Sequence, residues 1–362
     1  VTRAGASGAT SSPDDEHQRV VFEAFARTLA LGAVFHAWQL AQPPLSAGPV
    51  VAATAAMVLL RVTPLRFIAL LAAIALDFFG ALPEPWNHLI LIGFISIATL
   101  LWWGVRRIVD PASATDPVVL LRELAPFLRV GFLLTWFFAA LAKYNRAFFD
   151  GADNCTVWIV HEMPLMRVPS GFAAPAAIAA AALETAIPLL LVFRVTRHAG
   201  VVLGLLFHAG TAYGGHAAFA GLAWAFYLLF LPAAMVATGM NRLSALADRH
   251  VPRVVGALAR SRSVGWAFGV AVAWMLAVGL VGLLPFHERW LLRRWGAAVP
   301  CLLWLGAWGW ALARDRALWR PSPQRHAFRV RNGLFLVALA AIVVLGASPY
   351  LGLRSYGTLT MY

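Results

Sequence analysis

The chain is a succession of apolar runs, and that alone restricts what it can fold into. Runs near 20–41, 47–61, 65–82, 86–105, 121–144, 172–193, 199–215, 218–238, 265–284, 297–313 and 332–349 are dominated by Ala, Leu, Val, Ile, Phe and Trp. Most are of about 17–25 residues, long enough for a helix to cross a hydrocarbon layer. In lipid every backbone N–H and C=O must bond within its own segment, so a single run of this kind is a helix and not an open strand. The runs predict an all-α, polytopic integral membrane helical bundle of about 9–11 transmembrane helices. The second and seventh runs are short.

Composition supports that solvent. The chain is 61% hydrophobic and 12% charged, against about 25% charged for ordinary soluble domains. Its net charge of +13 needs no nucleic-acid partner, because loop arginines set topology and touch anionic headgroups. With eleven spans and the N-terminus inside, twenty arginines fall in inner segments and six in outer ones. The positive-inside rule therefore predicts a cytoplasmic N-terminus in a bacterial-type inner (plasma) membrane, with membrane lipids as the surroundings. Residues 1–19 are small, polar and turn-rich and read as a disordered cytoplasmic tail. The outer segments include 146–171, rich in Trp, Met and Pro and too long for a simple turn, and the stretch "PFHERWLLRRWG".

Ionisable groups inside spans are expensive, so each is a candidate site. Glu23 and Arg27, four apart, read as a helix-face ion pair. Arg129 reads as structural. Asp77 is open between capping, pairing and lining a cavity. Glu184 and His208 each lie about ten residues from the inner end of their spans, near 15 Å deep. Their helices are joined by the short "RVTRHAG" turn, which predicts a Glu184–His208 pair across an antiparallel hairpin. That pair serves either helix packing or function.

Lys143 is the only lysine, against 28 arginines. Arginine keeps its proton in proteins, whereas a dehydrated lysine can lose one. A lone lysine at the end of the 121–144 run is thus a candidate general base, expected at the outer boundary and partly dehydrated. His88, in "PWNHLILIGF", opens the preceding span at the same level and is its candidate partner.

Four motifs then carry a family resemblance: "WNHLILIGF" (86–94), "FAALAKYNRAFFDG" (138–151), "LETAIPLLLVFRVTRHAGVVLGLLFH" (183–208) and "SPYLGLRSYGTLTMY" (348–362). In this order they resemble the horizontally transferred transmembrane (HTTM) domain, the membrane region shared with vitamin K-dependent γ-glutamyl carboxylase. The resemblance covers about 20–240 and the final fifteen residues, with 241–349 as additional transmembrane helices with basic cytoplasmic loops and 350–362 as the start of an extracytoplasmic segment. It implies a quinol-dependent carboxylase/epoxidase of the lyase class. Its cofactor would be a reduced quinone, menaquinol or a vitamin K hydroquinone-like molecule. Lys143 is the implied base and His88 its helper. Trp86, Asn87, Glu184 and His208 are the implied substrate- and quinol-binding residues, and a peptide or protein substrate is implied on the extracytoplasmic side. The alternatives are a non-catalytic membrane scaffold or maturation partner, and a proton-coupled transporter with Glu184 and His208 as its relay.

Cys155 and Cys301 are both expected on the outer, oxidising side, as a disulfide or as two free thiols. No H-E-x-x-H or i,i+4 histidine pair occurs, so no metal is predicted.

Overall fold

A computed structural model describes residues 12–39, 47–82, 87–145, 148–149, 155–161, 172–250, 264–324 and 327–350. Among these the regular structure is helical, and the chain is an all-α bundle of the integral-membrane kind. The helices are α1 (Pro13–Gln39), α2 (Gly48–Leu60), α3 (Pro64–Gly80), α4 (Asn87–Val109), α5 (Pro117–Lys143), α6 (Cys155–His161) and α7 (Ala173–Val192), then α8 (Arg197–Tyr213), α9 (Ala217–Leu229), α10 (Ala233–His250), α11 (Val264–Gly282), α12 (Phe286–Ala313) and α13 (Gly333–Ala347). Five of them, α1, α4, α5, α7 and α12, are long and apolar enough to cross a membrane; α2, α9 and α13 are shorter apolar helices.

Local signals explain several boundaries. Asp116 caps α5 by accepting from Val118 N at 2.9 Å, with Pro117 in the first turn. Thr63 caps α3 through Arg66 N, ahead of Pro64, and Asn332 caps α13 through Leu334 N. These side chains satisfy orphan donors of the first turn.

Three expectations change. α1 begins at Pro13, not at 20: the Ser12 hydroxyl accepts from Asp15 N, and Asp14, Asp15 and Glu16 fill the first turn, where acidic groups favour a helix start. So 13–19 is helix, and 1–11 lies outside the described residues. The run at 218–238 is broken: α9 stops at Leu229 and α10 starts after Pro232, which has no N–H and disfavours helix in the residue before it. "FHERWLLRRWG", expected as a loop, is the start of α12. There Arg294 is buried, with Trp290 and Trp295 rings 4.9 and 5.5 Å from its guanidinium.

α1 runs through the middle of the bundle, packed against α2, α5, α9, α10 and α12. A Cβ on Gly32 would stand 2.6 Å from the backbone of Gly221, so α1 and α9 touch main chain to main chain. Small residues allow such close crossings between helices in lipid. Gln39, the last residue of α1, reaches the α8–α9 turn. Its amide donates to Gly215 O and accepts from Ala218 N, which caps α9 from another helix. Phe132 stacks on Phe226 at 5.0 Å, and Phe127 on Phe335 at 4.5 Å. The later helices share this core, since Trp308, Cys301, Phe335 and Ile342 belong to the same buried cluster as α1 and α5.

Arginines close several helix ends. Arg66 donates to Met57 O at the end of α2, Arg129 to Leu229 O at the end of α9, Arg197 to Leu191 O and Val192 O at the end of α7, and Arg242 to Ala311 O at the end of α12. The last carbonyls of a helix have no internal partner and carry the negative end of its dipole. A guanidinium, with five donors in a planar fork, meets several of them at once. Arginine here therefore ties helices together.

Candidate active site around Lys143

The last turns of α5 bury Trp136, Ala139, Ala140 and Lys143, an i, i+3, i+4, i+7 stripe. α7 presents a matching stripe of Ala177, Ala180, Ala181, Glu184 and Ile187. The small alanines let the two helices approach, and the stripes bring Lys143 Nζ to 2.8 Å from Glu184 Oε2. The two side chains are 1% and 4% exposed. Their approach is off the alignment of a hydrogen bond, and the contact is a buried ion pair. The Phe148 ring lies 5.5 Å from the amine.

Asn145 shapes the chain at this point. Its amide donates to Ala142 O, closing the end of α5, and its side-chain oxygen accepts from Phe148 N at 2.8 Å. One residue along from the ion pair, the exposed Tyr144 bonds Thr185 at 2.7 Å, Oη to Oγ1. Two successive polar contacts thus fix the register of α5 on α7.

Two expectations are corrected. Lys143 is enclosed by protein rather than partly exposed at a boundary, because α7 covers it. Glu184 is the twelfth residue of α7, about 16 Å along that helix. Glu184 pairs with Lys143, not with His208. The α7–α8 hairpin does form, with α7 and α8 packed together, but α5 occupies the face of α7 on which Glu184 lies.

His208 sits instead in an aromatic cage on the buried stripe of α8, with Gly204 and Ala212. Trp136, Phe207, Phe219 and Tyr227 surround it at ring-centroid distances of 5.5, 5.3, 5.0 and 5.7 Å. It is 0% exposed, and neither ring nitrogen has a hydrogen-bond partner. The Tyr227 hydroxyl, also fully buried, abuts Gly204 so closely that a Cβ there would collide with it. Tyr227 lies within electrostatic reach of Glu184, and the Trp136 indole neighbours its hydroxyl without aligning as a hydrogen bond.

Asn87 and His88 open α4, whose start lies at the same end of the bundle as the end of α5, since the two helices are joined by the 110–116 turn. Their side chains, and Trp86 altogether, lie outside the described residues. So do most of 146–171 and the tail from 351; within the former, α6 packs on α7. Cys301 is a buried free thiol with Sγ 4.0 Å from Ala217 O, while the Cys155 side chain lies outside the described residues. Asp77, left open by the sequence, is 3.7 Å from His36 of α1.

Sequence reasoning passed over Tyr227, Trp136 and Phe148. The one available signal was the hydroxyl of Tyr227 within "AFYLLF", a polar atom in an otherwise apolar run. No family model, no curated protein and no solved structure matches this chain.

Proposed function

We propose that the chain is a quinol-dependent membrane enzyme of carboxylase type, an HTTM-like protein in which Lys143 is the general base. The observation that carries this reading is the burial of the only lysine against Glu184, inside a bundle that otherwise uses arginine. A primary amine beside a carboxylate in apolar surroundings can exchange a proton with its neighbour, which a guanidinium does not do. The Phe148 ring beside the pair suits the flat head of a hydroquinone, and a quinone's lipid-soluble tail suits a site inside a membrane bundle.

In this reading Lys143 accepts a hydroxyl proton from the reduced quinone, menaquinol or a vitamin K hydroquinone-like molecule. His88 assists from the start of α4, and Trp86 and Asn87 belong to the same sequence motif. The positive-inside rule supports an N-terminus in the cytoplasm of a bacterial-type cell and a site towards the outer face, where a peptide or protein would be the carboxylated partner. The deciding experiment is turnover of a reduced menaquinone by purified protein. The expected result is activity in wild type that Lys143→Ala abolishes; equal turnover in the two proteins rejects the reading.

A proton-coupled transporter is the second reading, favoured by two buried ionisable groups inside the bundle, the unpartnered imidazole of His208 and the carboxylate of Glu184. It requires pH-driven flux that depends on Glu184 and not on Lys143. A scaffold or maturation partner would keep its cellular phenotype in Lys143→Ala.

A further inference from the structure

Lys143 and Glu184 are both buried, so a substrate reaches them only where helices part. On α5 the residues Phe137, Leu141 and Tyr144, spaced i, i+4 and i+7, are exposed. On α7 the exposed Ala182 and Leu189 flank Thr185, three residues before it and four after. Exposed apolar stripes of a membrane bundle face lipid. Tyr144, 57% exposed, and Thr185 therefore meet at the lipid-facing edge of the α5–α7 seam. Each is next in sequence to a member of the ion pair. The join is thin at this edge. The Thr185 hydroxyl donates its one proton to Ala181 O at 2.8 Å, so Tyr144 Oη is the donor in its 2.7 Å contact with Thr185 Oγ1. Behind that single neutral hydrogen bond stand Ala139, Ala140 and Ala181, small side chains with few dispersion contacts to lose. α7 is also weakened at this level. Pro188 lies inside the helix and has no N–H, so the Glu184 carbonyl has no donor four residues on. Helices bend at such a proline.

We propose that the α5–α7 seam is the entry by which a lipid-dissolved hydroquinone reaches Lys143, with the Tyr144–Thr185 hydrogen bond as its latch and Pro188 as its hinge. The inference rests on the reading of Lys143 as a quinol base and names the side from which that substrate comes. A quinol's apolar tail stays in the hydrocarbon, so only the flat head has to pass the latch. The head displaces one hydrogen bond and can replace it, because a phenolic hydroxyl donates and accepts as Tyr144 does. When the head leaves, Tyr144 returns to Thr185 and the ion pair is again enclosed.

The test uses the rarity of lysine. Lys143 carries the only side-chain amine, so an amine reagent reports on it alone, read by mass spectrometry of its peptide from the whole purified chain in phospholipid nanodiscs. Phenyl isothiocyanate, flat and lipid-soluble, is expected to label Lys143 slowly in wild type and about 2–10-fold faster in Tyr144→Phe, the factor that one hydrogen bond holds. Its sulfonated analogue, confined to water, is expected to label Lys143 severalfold more slowly in both. Reduced menaquinone with a short tail, added first, should slow labelling by phenyl isothiocyanate severalfold, and Pro188→Ala should slow it too. Should Tyr144→Phe unfold, Thr185→Val removes the same bond. Labelling that is no faster in Tyr144→Phe, or absent from both proteins, overturns the latch. Equal rates with the two reagents overturn entry from the membrane. No protection by the quinol overturns it as the occupant, and Pro188→Ala labelled as fast as wild type overturns the hinge. A failure of the base reading is recognised separately, by turnover that survives in Lys143→Ala while the labelling pattern holds.

Discussion

Lys143 and Glu184 belong to helices separated by a long connection, and their charged groups meet at 2.8 Å in the bundle interior. A buried pair of this sort is asymmetric in its energetics. Removing one partner strands the other, whereas removing both together does not. Lys143→Met and Glu184→Gln are each expected to destabilise the protein by about 3–5 kcal/mol, and the double variant by clearly less than their sum. Unfolding of all four proteins in one detergent system measures this. Additive losses would mean that the two groups do not interact.

Gly32 and Gly221 make the second prediction. Any side chain at Gly32 runs into the main chain of α9, which has no flexible end to yield. Gly32→Val should cost at least about 1–3 kcal/mol and more where the helices must separate. Gly104, whose Cβ direction is open, should accept alanine with no loss, or a small gain in helix propensity. Thermal midpoints of the two variants provide the comparison.

The third concerns arginine at helix ends. Arg129 donates from two nitrogens to Leu229 O and Ala327 O at 2.8 and 2.9 Å. A lysine keeps the charge but lacks the fork, so one carbonyl loses its donor. Arg129→Lys should cost about 1–3 kcal/mol. Arg122→Lys, whose exposed side chain reaches Asp15 at 3.4 Å, should change stability by less than about 0.5 kcal/mol. Equal effects in the two variants would show that charge, and not the guanidinium shape, is what the helix ends require.

The turn between α4 and α5 provides a pH prediction. The Ser113 hydroxyl beside the Asp110 carboxylate, and the hydrogen bond that carboxylate accepts from Ser113 N at 3.2 Å, hold its pKa below the ordinary aspartate range. A depressed carboxyl contributes stability above its unfolded pKa of about 3.9, and that contribution is lost as pH falls through the folded value. Carbon-13 titration should place the Asp110 midpoint below that of a free aspartate, and Ser113→Ala should move it back up. Asp110→Asn should lose this contribution at neutral pH and remove the acid-side dependence with it.

The helices were largely legible because lipid leaves backbone groups one way to bond, so each apolar run had to be a helix. The break at Pro232 was written in the chain but was outweighed by the apolar side chains on either side of it. The helical start of α12 was hidden by its charges, which resemble a loop until the Trp rings that cover Arg294 are in view. Lys143 was found through its rarity and Glu184 through its depth. Their meeting was missed because hairpin neighbours were assumed to be interaction partners, and nothing in the spacing of α7 says whether α5 or α8 faces Glu184. Tyr227 was invisible for a simpler reason: in an apolar run its ring counts as core, and only the tertiary structure shows where the hydroxyl points.

The reach of Gln39 to Ala218, across 179 residues, has a bearing on biosynthesis. α1 leaves the ribosome well before the helix whose first turn it completes, and it cannot acquire its innermost neighbours until α9, α10 and α12 have also been made. During that interval its glycine face and terminal amide stand in the bilayer without their eventual contacts. The earliest of the described helices to be synthesised is therefore among the last to be enclosed, and damage to that face should show first as degradation of nascent chains.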